Sequence, residues 1–205
     1  MKYLVCKIVV ASSLVAGLGG CIPLVLGTAA VGGALVATDR RTSGAQLEDE
    51  GIELRSSNRL VDALRDRGHV NITSYNRQVL LTGEVPTEQD RTLVEQTVSR
   101  VDNVRSVVNE LGVMGNSSLT QRSSDVLVTG QVKAALIDAK DLYPTAFKVV
   151  TERGVVYLMG RVTTQEANRA TEVVRGVNGV QKVVRLFETI SEEERQKLLP
   201  QSSGR

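Results

Sequence analysis

Hydrophobic and polar residues alternate with period two along four short segments of this 205-residue chain. The segments form two pairs, which run over residues 69–74 with 79–85 and 147–151 with 155–162. Such alternation predicts β-strands with one face toward a core. Asn76-Arg77 separates the strands of the first pair and Arg153-Gly154 those of the second. Since two-residue turns of this composition favour tight hairpins, each pair is predicted to be a β-hairpin.

The two hairpins belong to an internal repeat. Residues 70–85 align without a gap on residues 147–162, and residues 101–109 align on 177–185 after the loss of one residue. A repeat of this length indicates two copies of one supersecondary unit.

Predicted helices flank each hairpin. Thr87 and Thr163 are candidate N-caps for helices that run to about Arg100 and Arg175. Helices are also expected before the hairpins, over about 50–66 and 124–138, and closing strands after them, over 104–112 and 180–190. The predicted fold class is therefore α+β, with two tandem αββαβ domains that each pack two helices on a three-stranded sheet.

The N-terminal residues resemble a bacterial lipoprotein leader. Lys2 and Lys7 precede an apolar stretch over residues 8–18, and Leu18-Gly19-Gly20-Cys21 resembles the lipobox that is cleaved before its cysteine. The match implies acylation of Cys21, and Ile22 in place of Asp implies sorting to the outer membrane, facing the periplasm. An uncleaved transmembrane anchor is the alternative, because apolar sequence resumes after Cys21.

The expected organisation follows from these features. It comprises a signal peptide (1–20), the lipidated cysteine with an apolar tether and linker (21–48), a first domain (49–114), a linker (115–122), a second domain (123–190) and a C-terminal helix and tail (191–205). Residues 22–37 are read either as a tether close to the lipid surface or as a flexible linker that happens to be apolar.

The repeat resembles the BON domain, a small αββαβ module of bacterial envelope proteins. The resemblance rests on Gly83-Glu84-Val85 and Gly160-Arg161-Val162, and on the valine-rich runs 101–104 and 177–180. With the lipobox and residues 37–46, the whole layout is similar to the DolP (YraP) family of outer-membrane lipoproteins with two BON domains. Because glycine weakens a strand, Gly83 and Gly160 indicate a bulge or a close backbone approach, and we expect a structural role for them.

The first helices of the two units differ. In the first, Leu54, Leu60, Val61 and Leu64 are predicted to form one buried stripe. In the second, Val128, Val132, Ala135 and Leu136 are expected in the core. Its opposite face is also mostly apolar, and comprises Val126, Leu127, Gly130, Lys133, Ala134 and Ile137.

Three explanations of this second apolar face are open. It packs on the other unit, it binds lipid with Lys133 toward a phosphate, or it docks a partner protein. The resemblance to the DolP family implies anionic phospholipid of the outer membrane as the ligand, bound by the second domain. Leu127 stands where that family often has a tryptophan, so the interfacial aromatic is missing. Outer-membrane assembly or cell-division proteins are the alternative partners.

Composition argues against other functions. The chain has 25 basic and 23 acidic residues, six aromatic residues and one histidine, His69, expected at the surface. Without Lys2 and Lys7 the formal charge is zero, so nucleic-acid binding is not expected. No cofactor, metal site or catalytic residue is predicted. The acidic run Glu48, Asp49 and Glu50 reads as solvated charge.

Overall fold

The structure is a computed structural model that describes residues 39–65 and 67–198. Cys21, the predicted leader and the apolar stretch 22–37 lie outside the described residues, as do Asp66 and the tail from residue 199.

The two repeat units have the predicted order of elements. The first contains α1 (Ser43–Leu64), β1 (His69–Tyr75), β2 (Gln78–Val85), α2 (Glu88–Ser99), β3 (Ser106–Asn109) and β4 (Gly112–Val113). The second contains α3 (Leu119–Asp138), a 3-10 turn (Pro144–Ala146), β5 (Phe147–Glu152), β6 (Val155–Val162), α4 (Thr164–Arg175) and β7 (Lys182–Thr189). A short helix, α5 (Glu192–Leu198), follows.

Each unit has a mixed sheet with its most buried strand in the middle. β2 lies between β1 and β3, and β6 between β5 and β7; the hairpin pairing is antiparallel and the second pairing parallel. The turn residues Asn76, Arg77, Arg153 and Gly154 all have positive φ, as the predicted tight hairpins require. The α+β prediction with two tandem αββαβ domains is confirmed.

Three boundaries differ from the prediction, and one of them, the N-terminus of α3, lies at Leu119 inside the predicted linker 115–122. α1 begins at Ser43, where Thr42 caps it by accepting a hydrogen bond from the Ala45 N–H, so residues 43–48 are helical instead of linker. The closing strand of the first unit is split, which gives that sheet four strands. The Asn109 side chain accepts the Leu111 N–H at 3.2 Å, and Leu111 turns into the core between β3 and β4.

The predicted core stripe of α1 is wrong. Leu54 and Val61 are each 64% exposed, whereas the buried face includes Asp49, Ile52 and Ser56 beside the correctly predicted Leu60 and Leu64. Because Asp49 and Ser56 are polar, the hydrophobic pattern alone places the stripe at a different angle around the helix. Asp49 is buried and hydrogen bonded, in contrast to the solvated charge expected for it.

Equivalent aspartates dock the first helix of each unit on its hairpin turn. Asp49 accepts the backbone N–H groups of Asn76 and Arg77 at 2.7 and 2.8 Å. Asp125 accepts those of Arg153 and Gly154, both at 2.8 Å. These turn N–H groups point away from the strand ladder, so a carboxylate supplies the acceptors they need.

The two domains pack through their sheets. On each sheet, alternate residues face the helices, and the remaining ones form a third apolar cluster in which Tyr75 and Leu80 meet Tyr157 and Met159. The layers therefore run helices, sheet, sheet, helices. α3 lies on the outside of this sandwich, so the interpretation that its second apolar face packs on the other domain is wrong.

Candidate functional site

α3 is fixed to its own domain along one side. Val128, Val132 and Leu136 are buried in the core, as predicted, while Ala135 is half-buried. Thr129 adds a hydrogen bond of 2.8 Å to the Thr151 hydroxyl on β5. Together with the Asp125 contacts, these interactions fix the rotation of α3 about its axis. The side that faces away from the core is therefore set by the fold.

That side carries all six residues singled out from the sequence, and all are exposed. Val126, Leu127 and Ile137 are 71%, 68% and 64% exposed, an unusual state for large apolar side chains. The α3 outer face comprises Val126, Leu127, Gly130, Lys133, Ala134 and Ile137.

The structure extends this face by one residue. Leu119 lies one heptad before Val126 on the same side of the helix and is exposed. The sequence reading missed it because it started the helix at Ser124. Ser118, whose hydroxyl accepts the Gln121 N–H, was the available signal for the true N-terminus.

The chemistry of the α3 outer face is that of an interfacial surface. Its apolar side chains run along a helix of 20 residues, about 30 Å. Lys133 stands among them and makes no ion pair within residues 39–65 and 67–198. A long cationic side chain beside apolar groups can reach a phosphate while its methylenes remain in apolar surroundings.

A second exposed apolar stripe lies on α1, and sequence reasoning missed it. Leu47, Leu54 and Val61 follow one another at seven-residue intervals and are all exposed. Acidic residues predominate on this helix, whereas α3 carries equal numbers of acidic and basic residues. The two helices thus offer apolar surfaces of different electrostatic character.

Gly83 and Gly160 do not belong to the α3 outer face. Each lies opposite the start of the neighbouring strand, where a Cβ would be 2.0 Å from the His69 carbonyl oxygen and 2.3 Å from that of Ala146, respectively. The close approach is to backbone in both cases: that of β1 for Gly83, and that of the 3-10 turn just before β5 for Gly160. This geometry favours the packing role predicted for both glycines.

His69, expected at the surface, is half-buried, with 27% of its side chain exposed. Its Nδ1 atom lies 3.8 Å from Glu84 Oε2, and Glu84 is fully buried. Across the described ranges, no group of three or more His, Cys, Asp or Glu side chains is arranged to hold a metal ion.

None of the described helices is both long and apolar enough to cross a membrane.

Comparison with known proteins agrees with the double αββαβ architecture. The BON domain family matches the chain twice, over residues 48–115 and 124–190. These matches cover more than half of the chain and coincide with the two sheet-and-helix units.

Two relatives share most of their length with this chain. It is 39% identical over 172 residues to the outer membrane lipoprotein DolP of Haemophilus influenzae, which covers 83% of this chain and 89% of the relative. It is 32% identical over 151 residues to the 21 kDa hemolysin of Actinobacillus pleuropneumoniae, and this match covers 73% of this chain and 78% of the relative. A solved C-terminal domain of the Chlamydia trachomatis type III secretion protein CdsD is 12% identical, with a TM-score of 0.29 over 65% of this chain and 96% of that domain.

The fold and these matches define a protein built from tandem BON domains. The chain belongs to the DolP family of outer-membrane lipoproteins, as its sequence layout indicated.

Proposed function

We propose that this protein is a non-enzymatic lipoprotein, anchored to the outer membrane at Cys21 and facing the periplasm, that binds anionic phospholipid through the α3 outer face. In this role it supports the integrity of the envelope. The exposure of Val126, Leu127 and Ile137 on one side of α3 is the observation that carries the proposal.

The energetics of shallow insertion suit this face. Burial of one large aliphatic side chain contributes about 1.5–3 kcal/mol. The cost of association offsets part of the free energy gained from three such side chains, so they do not give micromolar affinity by themselves. Attraction between Lys133 and an anionic headgroup adds roughly 1 kcal/mol. The proposed contact is therefore a weak one, which a covalent acyl anchor would supplement by keeping α3 close to the bilayer.

Acidic substitutions on α3 are expected to abolish membrane association of the chain that starts at Asp39, which contains both hydrophobic cores. Leu127→Asp and Ile137→Asp each replace an inserted apolar group by a charge. We expect each variant to lower the fraction that floats with phosphatidylglycerol-containing liposomes at least about tenfold. Liposomes of phosphatidylcholine alone test the contribution of Lys133, because they remove the net negative charge.

Leu54→Asp and Val61→Asp are the matched controls. These residues are as exposed as Ile137 and lie on α1, outside the proposed site, so both variants should float like the unmodified chain. Equal flotation of the α3 variants and the unmodified chain would contradict phospholipid binding through α3.

Acylation of Cys21 predicts a second result. Cells that express the full chain and are fed labelled palmitate should incorporate the label into this protein, and Cys21→Ser should abolish the incorporation. Cys6→Ser is the control, because Cys6 lies in the predicted leader and would be removed with it. Label in the Cys21→Ser variant, or none in the unmodified chain, would exclude this anchor.

The alternative function is that of an adaptor for envelope-assembly or cell-division proteins, with lipid contact incidental. The exposed stripe of Leu47, Leu54 and Val61 favours it, because large apolar groups at the surface mark interaction sites. Photo-crosslinking in cells from position 127 separates the two functions. Lipid adducts support the phospholipid site, and one dominant protein adduct supports the adaptor.

A further inference from the structure

Two adjacent arginines just before α1 bind different domains. Arg40 donates to both carboxylate oxygens of Glu166 on α4, at 2.6 and 2.8 Å, and to the Arg161 carbonyl oxygen on β6 at 2.8 Å. Its side chain is 1% exposed. All these partners belong to the second domain, although more than 100 residues separate them from Arg40 along the chain.

Glu166 is itself held rigidly, so Arg40 binds a fixed target. Glu166 and Thr163 form a capping box at the N-terminus of α4, in which Glu166 Oε2 accepts the Thr163 N–H at 2.9 Å. Burial alone would raise the pKa of the Glu166 carboxyl, but the bonds from Arg40 and Thr163 hold that pKa below its ordinary value. The carboxylate is therefore charged and oriented where Arg40 meets it.

Arg41 makes the corresponding contacts with the first domain. It donates to Asp49 Oδ2 at 2.8 Å, and its guanidinium lies 4.3 Å from the centre of the Tyr75 ring. Asp49 is the carboxylate that docks α1 on the hairpin turn. The Arg41 guanidinium also donates a hydrogen bond of 2.8 Å to the Asp39 carboxylate.

We propose that Arg40 and Arg41 form a clasp that holds the two BON domains in a single relative orientation. The two side chains leave neighbouring residues of one backbone, so a change in domain orientation must break the contacts of at least one of them. The apolar contact between the sheets does not impose this restraint by itself, because hydrophobic burial is non-directional. A bidentate guanidinium–carboxylate pair is directional.

Other polar contacts also cross the domain boundary. Asn76 donates to Glu188 at 2.6 Å, and Arg153 lies 3.6 Å from the fully buried Glu84, but neither contact is a bidentate guanidinium–carboxylate pair. Lys148 binds Glu53 at 2.9 Å, but both side chains are about one-third exposed and flexible. Asn71 and Glu152 share one hydrogen bond of 3.0 Å.

A distance measurement between the domains tests the clasp. The full chain in detergent, with Cys6→Ser and Cys21→Ser, would carry spin labels on Gln96→Cys in α2 and Arg175→Cys in α4, two exposed positions. Pulsed electron resonance should give one narrow distance distribution for this chain. Arg40→Ala should broaden the distribution at least about twofold or add a second maximum, because it removes the bidentate bond to Glu166 and leaves only the weaker bond of 3.3 Å from Arg161 to the Arg40 carbonyl oxygen.

Arg67→Ala is the matched control, since Arg67 pairs with Asp90 at 2.7 Å inside the first domain, and it should leave the distribution unchanged. Circular dichroism identifies an Arg40→Ala variant that fails to fold, in which case Arg40→Lys decides, because lysine keeps the charge but loses the bidentate geometry. A folded Arg40 variant with the narrow distribution of the parent chain would overturn the clasp. Broadening that Arg67→Ala shares would overturn it equally, because the effect would then not be specific to Arg40.

Discussion

Gly83→Ala is expected to lower the melting temperature of the folded domains by about 10 °C. Gly83 has φ +109°, which residues with a Cβ avoid, and the added carbon would lie 2.0 Å from the His69 carbonyl oxygen. Because that oxygen belongs to the β1 backbone, the two strands of the hairpin must separate. Strain and overpacking together cost about 3 kcal/mol or more, which corresponds to that shift. Differential scanning calorimetry measures it.

Two further glycine variants separate the effect of the backbone conformation from that of the steric overlap. Gly160→Ala meets the Ala146 carbonyl oxygen at 2.3 Å without a positive φ, so its effect should be large but smaller than that of Gly83→Ala. Gly130→Ala on α3 meets no atom within 4 Å and should raise the melting temperature slightly, since alanine favours a helix by about 1 kcal/mol. An unchanged melting temperature for Gly83→Ala would show that the two strands separate at this position without a loss of folding stability.

The strands and the repeat could be predicted because local pattern determines them. β6 has the predicted bounds, Val155–Val162, and the turns fall where the period-two pattern is interrupted. Because the unit is duplicated, each predicted helix and strand has a counterpart in the other copy that supports its assignment. The contact between the two sheets was not predicted, because the period-two pattern indicates only one buried face for each strand.

The register of α1 could not be read from hydrophobicity because polar residues occupy its buried face. Asp49 and Ser56 replace apolar residues there, and Leu54 and Val61 stand on the solvent side. The buried Asp49 carboxylate is stabilised by two turn N–H groups, the Ser74 hydroxyl and Arg41, and these partners become visible only in three dimensions. In α3 the corresponding face is apolar apart from Asp125, and its three buried apolar residues, Val128, Val132 and Leu136, were all predicted.

The candidate site was predictable in its residues but not in its surroundings. A helix that is apolar on two sides must meet two partners, and this pattern alone singled out Leu127 and Ile137. Whether the neighbouring domain covers them depends on how the domains pack. That arrangement depends on contacts such as Arg40 with Glu166, which are remote in sequence.

Asp49→Asn is expected to destabilise the protein by about 3 kcal/mol at neutral pH, because it leaves the half-buried Arg41 with only Asp39 as a carboxylate partner among the described residues and turns an amide toward the N–H donors of the hairpin turn. Asp125→Asn is the matched comparison. Asp125 accepts the same two turn bonds but has no arginine partner among the described residues, so we expect a loss of only about 1.5 kcal/mol. Urea unfolding followed by circular dichroism measures both.

The effect of Asp49→Asn should also depend on pH with a definite sign. Burial alone would raise the pKa of the Asp49 carboxyl, but hydrogen bonds from Arg77, Ser74 and Arg41 hold it below its ordinary value of 3.8. A lowered pKa in the folded state stabilises the fold above pH 3.8, and this contribution is lost as the pH falls through the folded value. The urea midpoints of the parent chain and Asp49→Asn should therefore converge on acidification. Midpoints that differ by the same amount at pH 7 and at about pH 2.5 would show that the charge of Asp49 does not stabilise the hairpin turn.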